Sequence, residues 1–335
     1  MLFMNYGKVS ESVFERTVYK TIQTIGYHEK AIEDGAGLGA DCAVLPSSNG
    51  CIVSAQGYAA GKDAQVVVRA LQHAVNRLAS FGVAVTGTIS IHISLPEQLR
   101  EAKLRGMLEA AAELSAKLHM PIVSSEVHVV PGIQTALANV YVQTGAVAQK
   151  ELILPGKAQP EQDVVMTKWM GLEGTSLLAA AKLTELETRY PQNLVEEAKC
   201  FDRYLSIIPE AATAAMSDVS AMQVVREGGI FGALWELAQS SGVGLVIDLK
   251  KISVKQETIE VCEYFDINPY KLLSGGSLLI TTDKGMNLVS KLQQQGISAA
   301  VIGKTTQGND RIITNEEETR YLEPAREDEL YKVLV

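Results

Sequence analysis

The chain has 335 residues, and at roughly 150 residues per domain that length predicts two domains, each able to bury a core of its own. Apolar residues make up 47% and charged residues 21%, a globular composition that argues against extensive disorder, collagen-like repetition and a coiled coil. Thirty basic and 39 acidic residues give a net charge of −9, and without a basic field the expectation is no nucleic acid among the partners.

Ser12-x-x-Glu15 offers a capping box, and Phe14, Val18, Ile22 and Ile25 follow at helical spacing, so the first element is a helix ending near Gly26. The glycine-rich turn Gly35-Ala36-Gly37-Leu38-Gly39-Ala40-Asp41 leads into the apolar run Cys42–Leu45. A second helix is predicted over 63–80. Ile89, Ile91, Ile93 and Leu95 then alternate with Ser90, His92 and Ser94, the period of a half-buried strand. Pro96 ends that strand and opens a helix to about Leu118. Two strands follow, at 122–130 and 139–147, and the order β-β-α-β-α-β-β is an α+β pattern.

The polar stretch 149–162 carries two prolines and a glycine and sets the expected boundary, giving domains 1–155 and 156–335. Beyond it the pattern predicts a strand at 163–167, helices at 174–188, 193–205 and 208–216, and a helix after Gly229 with Trp235 on its apolar face. Strands near 243–247, 277–282, 298–302 and 310–314 alternate with helices at 256–264 and 285–295. The charged tail from Glu316 onward is expected to be a solvated surface finish.

Cysteines 42, 51, 200 and 262 form no CxxC pair, so neither a zinc framework nor disulfides are expected. The opening MLFMNYGKVSESVFER lacks the apolar core of a signal peptide, and no apolar run approaches the ~20 residues of a membrane span. The expectation is therefore a cytoplasmic chain with no membrane contact. Gly303-Lys304-Thr305 is no P-loop, because Ser298 stands where the first glycine is required. The histidines, at 28, 73, 92, 119 and 128, contain no HExxH pair; His92 is expected on the polar side of its strand and His73 on a helix surface. Gly171-Leu172-Glu173-Gly174-Thr175-Ser176 joins a strand to a helix, an arrangement that serves either as an ordinary helix start or as an anion site.

Taken in order, GKVSESVFER, GAGLGADCAVL, TKWMGLEGTSLLA, EGGIFGALWELAQSSGVGLVIDLKKI, QETIEVCEYFDINPYKLLSGGSLLI and AAVIGK resemble the aminoimidazole ribonucleotide (AIR) synthetase superfamily. The likeness is greatest to its AIR-synthase-related members and to the hydrogenase expression/formation proteins that dehydrate a carbamoyl thioester. The resemblance implies an N-terminal α+β domain whose sheet forms a barrel with its twofold mate in a homodimer, and a C-terminal α+β domain. It also implies ATP held by glycine-rich backbone and by magnesium on several aspartates, with phosphate transferred to an amide-type oxygen.

Residue by residue, the acids of that pattern are largely replaced. Of the Gly-acid-Asp turn, Gly39 and Asp41 remain but the first acid is Ala40; Gly37 belongs to the same backbone. The segment Ser54-Ala55-Gln56-Gly57 carries Gln56 for an acid, and the Asn-Asp pair reads Asn76-Arg77. The Gly-Asp-Thr or Gly-His-Thr loop reads Ser125-Glu126-Val127, leaving Glu126 as one carboxylate. Met222-Gln223-Val224-Val225-Arg226-Glu227-Gly228-Gly229 has lost the histidine, aspartate and threonine of its counterpart. The hydrogenase-maturation members also use a C-terminal cysteine, whereas the last cysteine here is Cys262.

By this resemblance the nucleotide-binding candidates are Gly37, Gly39, Asp41, Asn76, Arg77, Glu126, Gly171, Gly174, Thr175, Arg226, Gly228 and Gly229, with Asp41 and Glu126 as the metal ligands only if any metal binds. Losing several magnesium ligands together predicts a degenerate site and a binding or regulatory homodimer, with neither ATP nor magnesium as cofactor. The alternatives are an ATP- and magnesium-dependent enzyme with altered ligands, and a partner of an intact paralogue.

Overall fold

The computed structural model describes residues 6–25, 42–316, 318–324 and 327–334. They form two compact units: the first domain runs to Leu152, and the second begins at Ile153 and also takes in the N-terminal segment before Gly26. That segment, expected with the first domain, is tied to the second by an ion pair from Lys8 to Glu236 and by Trp235 Nε1 donating to Glu11 Oε2 at 2.7 Å. From Glu11 it is helical, as α1 (Glu11–Val13), a wider π-helical stretch (Phe14–Tyr19) and α2 (Lys20–Ile25). The capping box does not form. The helix begins one residue earlier than Ser12, and Ser10 at its cap makes no side-chain bond to the backbone.

In the first domain β1 (Cys42–Ser47), β2 (Gly50–Gly61), α3 (Val66–Ser80), β3 (Thr88–Leu95), α4 (Glu101–Leu118), β4 (Ile122–Val129) and β5 (Ala136–Gln143) follow the expected β-β-α-β-α-β-β order. The strands form one sheet in the order β1-β2-β5-β3-β4, antiparallel except for the parallel pair β3–β4, which α4 joins as a crossover. One face is apolar, with Val53, Ala55, Ile89, Ile91, Ile93, Val140 and Val142 buried beneath Val67, Leu71, Val75 and Leu78 of α3. Each fully buried aliphatic side chain of this kind contributes ~1.5–3 kcal/mol. The helix lies so close that a Cβ on Gly57 of β2 would meet the Ala70 carbonyl oxygen at 1.9 Å, which explains the glycine. His73 is buried within this packing rather than exposed, with Nδ1 2.9 Å from the Tyr58 carbonyl oxygen. On α3 the apolar face is wide enough to carry one polar ring inward, provided a backbone carbonyl satisfies it.

The second domain has β6 (Asp163–Thr167), α5 (Leu172–Ala181), α6 (Leu183–Glu187), α7 (Gln192–Lys199), α8 (Ile208–Ala215), β7 (Ala221–Val225), α9 (Gly229–Ser241), β8 (Gly244–Asp248), α10 (Gln256–Tyr264), β9 (Ser277–Thr282), α11 (Gly285–Gln294), β10 (Ala299–Thr306), β11 (Arg311–Asn315), β12 (Glu318–Tyr321) and α12 (Tyr331–Leu334). Its mixed sheet runs β12-β11-β8-β10-β6-β9-β7, and α9 packs Leu234, Leu237 and Ala238 into a core with Val164, Leu245, Ile247 and Ile302. Trp235 sits at the edge of that core, with the Arg311 guanidinium 3.8 Å over its ring. The architecture is α+β in both units. The tail is not a solvated finish: β12 pairs with β11, Leu322 and Leu330 are buried, and Asp328 and Glu329 are only 4% and 5% exposed.

Candidate functional site

Gly37, Gly39 and Asp41 lie outside the described residues. On α3, Asn76 is buried and its Oδ1 accepts from Gln72 Nε2 at 2.8 Å, one helical turn back. Arg77 Nη1 donates to the Gln56 carbonyl oxygen at 2.7 Å. Two positions where the sequence departs from the magnesium-binding pattern, Gln56 and Arg77, are thus brought side by side. Glu126 has different company: on the polar face of the sheet it neighbours His92 and His128. His92 is half-buried on that face, as its alternation predicts.

In the second domain two helix starts converge on the segment Tyr270–Gly276. A Cβ on Gly171, at φ 73°, would come within 2.7 Å of Thr258 Cγ2, and one on Gly229, at φ 64°, within 2.4 Å of the Tyr270 carbonyl oxygen. Left-handed backbone at both positions is what requires glycine. Close packing leaves the expected anion-facing donors engaged within the protein. Gly171 N–H donates to Ser274 Oγ at 2.6 Å, Gly174 N–H to the Leu273 carbonyl at 2.8 Å, and Thr175 N–H to the Gly171 carbonyl at 2.9 Å. Thr175 Oγ1 donates to Thr258 Oγ1 at 3.0 Å. Gly229 N–H donates to the Arg226 carbonyl at 3.0 Å. Arg226 itself is buried, its Nη2 3.7 Å from Glu227 Oε1.

Gly228 N–H donates to a carboxylate that the sequence pattern did not single out, Asp328 Oδ2, at 2.7 Å. The other oxygen, Oδ1, accepts from Leu330 N–H at 2.9 Å and Leu273 N–H at 3.1 Å. Burial pushes the Asp328 carboxyl up to about 7, against the pull of those three backbone donors and with the push of Glu227. Beside it a cavity of about 50 Å³ is lined by Lys8 and by the acids Glu11, Glu227, Glu236, Glu327 and Asp328. A helix start normally favours an anion, but one ringed by five carboxylates and a single ammonium repels any further negative charge.

Cys262 is buried in α10, and burial, together with the nearby Glu329 carboxylate, pushes its thiol up to about 12. It is therefore neither nucleophile nor carrier at neutral pH. Of the four cysteines Cys200 alone is exposed. A thiol reagent applied to the native protein is expected to titrate Cys200 quickly and Cys262 only on unfolding. Fast labelling of Cys262 in the native state would contradict this packing.

Residues 159–315 match the family described as AIR synthase related protein, C-terminal domain. The carbamoyl dehydratase HypE of Rhodobacter capsulatus is 23% identical over 306 residues, spanning 89% of this chain and 86% of that protein. Among solved structures, a chain of a HypE–HypF complex superposes with a TM-score of 0.74 at 16% identity, covering 92% of this chain and 99% of that one. A hydrogenase maturation protein HypE in complex with ATP gives a TM-score of 0.70 at 14% identity, covering 98% of each chain. Residues 159–315 thus carry an AIR-synthase-related C-terminal domain, and nearly the whole chain has the fold of the HypE-like proteins it resembles.

Proposed function

We propose that this chain is a non-catalytic member of its superfamily, a binding or regulatory homodimer whose ATP and magnesium site has degenerated. The observation that carries the reading is the Asp328 carboxylate bonded to Gly228 N–H at the start of α9, where a phosphate-binding glycine pair would turn its donors to a ligand. Three further features support it. The N–H groups of Gly171, Gly174, Thr175 and Gly229 are engaged within the domain. Five carboxylates line the adjacent cavity. Arg77, a cation where the family pattern has a magnesium ligand, is bonded to the main chain of β2. A triphosphate brings about four negative charges and needs a metal or cations to neutralise them.

Pairing with a second copy fits the edge of the first sheet. Strand β4 is exposed along nearly its whole length, with Val123 59%, Val127 38% and Val129 63% exposed. Apolar side chains on an unpaired edge strand are a liability unless another surface covers them. A second copy is the expected partner, and an intact paralogue is the alternative.

The competing reading is an ATP-dependent enzyme with altered ligands, which the likeness to a HypE structure in complex with ATP favours. Calorimetric titration of ATP into the purified protein, with and without magnesium, separates the two. No heat in either condition, down to millimolar affinity, is the expected result. Tight magnesium-dependent binding would overturn the proposal and restore the enzyme. Binding that ignores magnesium would also overturn it as drawn, and would assign phosphate contacts to Arg77 or Arg226.

A further inference from the structure

The parallel pair β3–β4 sets His92 directly opposite Glu126, and His128, two residues further along β4, points to the same face opposite Ser94. The three side chains meet there. Their ligand atoms all lie within 4.8 Å of one another, with His128 Nε2 3.8 Å from Glu126 Oε2, and the two imidazole rings meet edge to face with centroids 5.4 Å apart. We propose that His92, Glu126 and His128 form a three-ligand site for a divalent transition ion of the zinc class on the polar face of the first sheet.

Donor chemistry selects the ion. Two imidazole nitrogens and one carboxylate oxygen are the donor set of three-ligand zinc sites, which leave a further coordination position open. Magnesium prefers hard oxygen ligands and near-octahedral geometry, so replacing oxygens with imidazoles turns the site away from it. Glu126, which sequence resemblance reads as a magnesium ligand, is by its neighbours a ligand for a softer ion. Zinc–ligand bonds of ~2.0–2.2 Å around a tetrahedron place donors ~3.3–3.6 Å apart, and the 3.8 Å between His128 Nε2 and Glu126 Oε2 is already near that spacing. In the single chain Glu126 and His128 are exposed, with side chains 72% and 60% accessible. All three ligands come from the paired strands β3 and β4, and none of the second-domain residues discussed above takes part.

The test uses the full chain, stripped with chelator and titrated with zinc chloride against a chromophoric chelator. One zinc per chain is expected, with at least a tenfold loss of affinity in His92→Gln and in His128→Gln and near-complete loss in the double variant. His119→Asn removes an exposed imidazole elsewhere and is expected to bind as wild type. Circular dichroism checks that the variants fold, and the exposure of the site makes that the expected result. Cobalt chloride supplies a second readout: ligand-field bands present in the wild type and absent from the double variant. Equal zinc uptake by wild type and double variant would overturn the proposal, as would no zinc uptake by the wild type. Displacement of zinc by equimolar magnesium would overturn it too, because it would reveal oxygen ligation without the imidazoles.

Discussion

Glu210→Gln is expected to lower the unfolding free energy by about 3–5 kcal/mol, the usual consequence of breaking a buried ion pair from one side. Glu210 on α8 is 2% exposed, and its Oε1 lies 2.7 Å from Lys168 Nζ. Lys168 follows β6 in left-handed backbone at φ 53°, and its ammonium also donates to the carbonyl oxygens of Tyr204, at 2.8 Å, and Ser206. Burial lowers the Lys168 pKa from its usual value, and Glu210 acts against that shift. Without the carboxylate the ammonium stands desolvated with only carbonyl partners, so the pKa falls further. A lysine depressed in the folded state costs most where it must stay protonated. The loss in Glu210→Gln is therefore expected to shrink as pH rises from the folded pKa toward the usual 10.5, because the neutral amine carries no desolvation penalty. Urea unfolding at neutral and alkaline pH reads this directly. Lys168→Met combined with Glu210→Gln is expected to recover much of the single-variant loss, since no charge is left unpaired. If the single variant loses less than 1 kcal/mol, the pair is not the closed, desolvated contact that the geometry describes.

Local patterning made most of the fold legible. Alternation at Ile89–Leu95 and the apolar face of α3 gave their elements to within a few residues, because each has one clear buried face. The segment expected as one helix over 174–188 is two, broken at Lys182 with φ −117° and ψ 28°, since periodicity alone does not register a backbone break. The strand β7, Ala221–Val225, is buried at every position and shows no alternation to distinguish it. Functional groupings were less accessible. His92 and His128 are separated in sequence by all of α4 and meet only through the register of a parallel pair; a histidine spacing rule reads along one element and misses such a set. The tail was misread for a related reason. Its composition is that of a solvated segment, yet Asp328 and Glu329 find backbone donors at Gly228, Leu273, Leu330 and Asn268, and a charged residue with such partners can be buried. One signal was available: Leu322 and Leu330 bracket that run, too widely spaced for a helical face but placed to pin both ends of a folded-back segment.

Asp328→Ala is expected to cost about 2–4 kcal/mol and to release the tail, because it leaves the buried N–H groups of Gly228, Leu273 and Leu330 without their acceptor. Limited proteolysis is then expected to cut faster than in the wild type at the run Asp328–Leu330, which is buried in the folded chain. Asp328→Asn isolates the charge, since it keeps one oxygen acceptor and the side-chain shape. In the folded chain burial raises this carboxyl from 3.8 to about 7, so the folded state holds the proton more tightly than the unfolded one. The stability this group contributes is then full below the unfolded pKa and is lost as pH rises through the folded one. A shift of about three units corresponds to roughly 4 kcal/mol as an upper limit. Wild type is expected to weaken between these two values while Asp328→Asn does not, so the difference between them changes in favour of the variant as pH rises. Denaturation midpoints measured at mildly acidic and mildly alkaline pH decide the matter. Parallel profiles would mean that the three donors and the start of α9 hold the carboxylate ionised in spite of burial. The helix start would then carry a permanent internal anion, which would exclude an incoming phosphate more strongly than a carboxyl that is half protonated near neutrality.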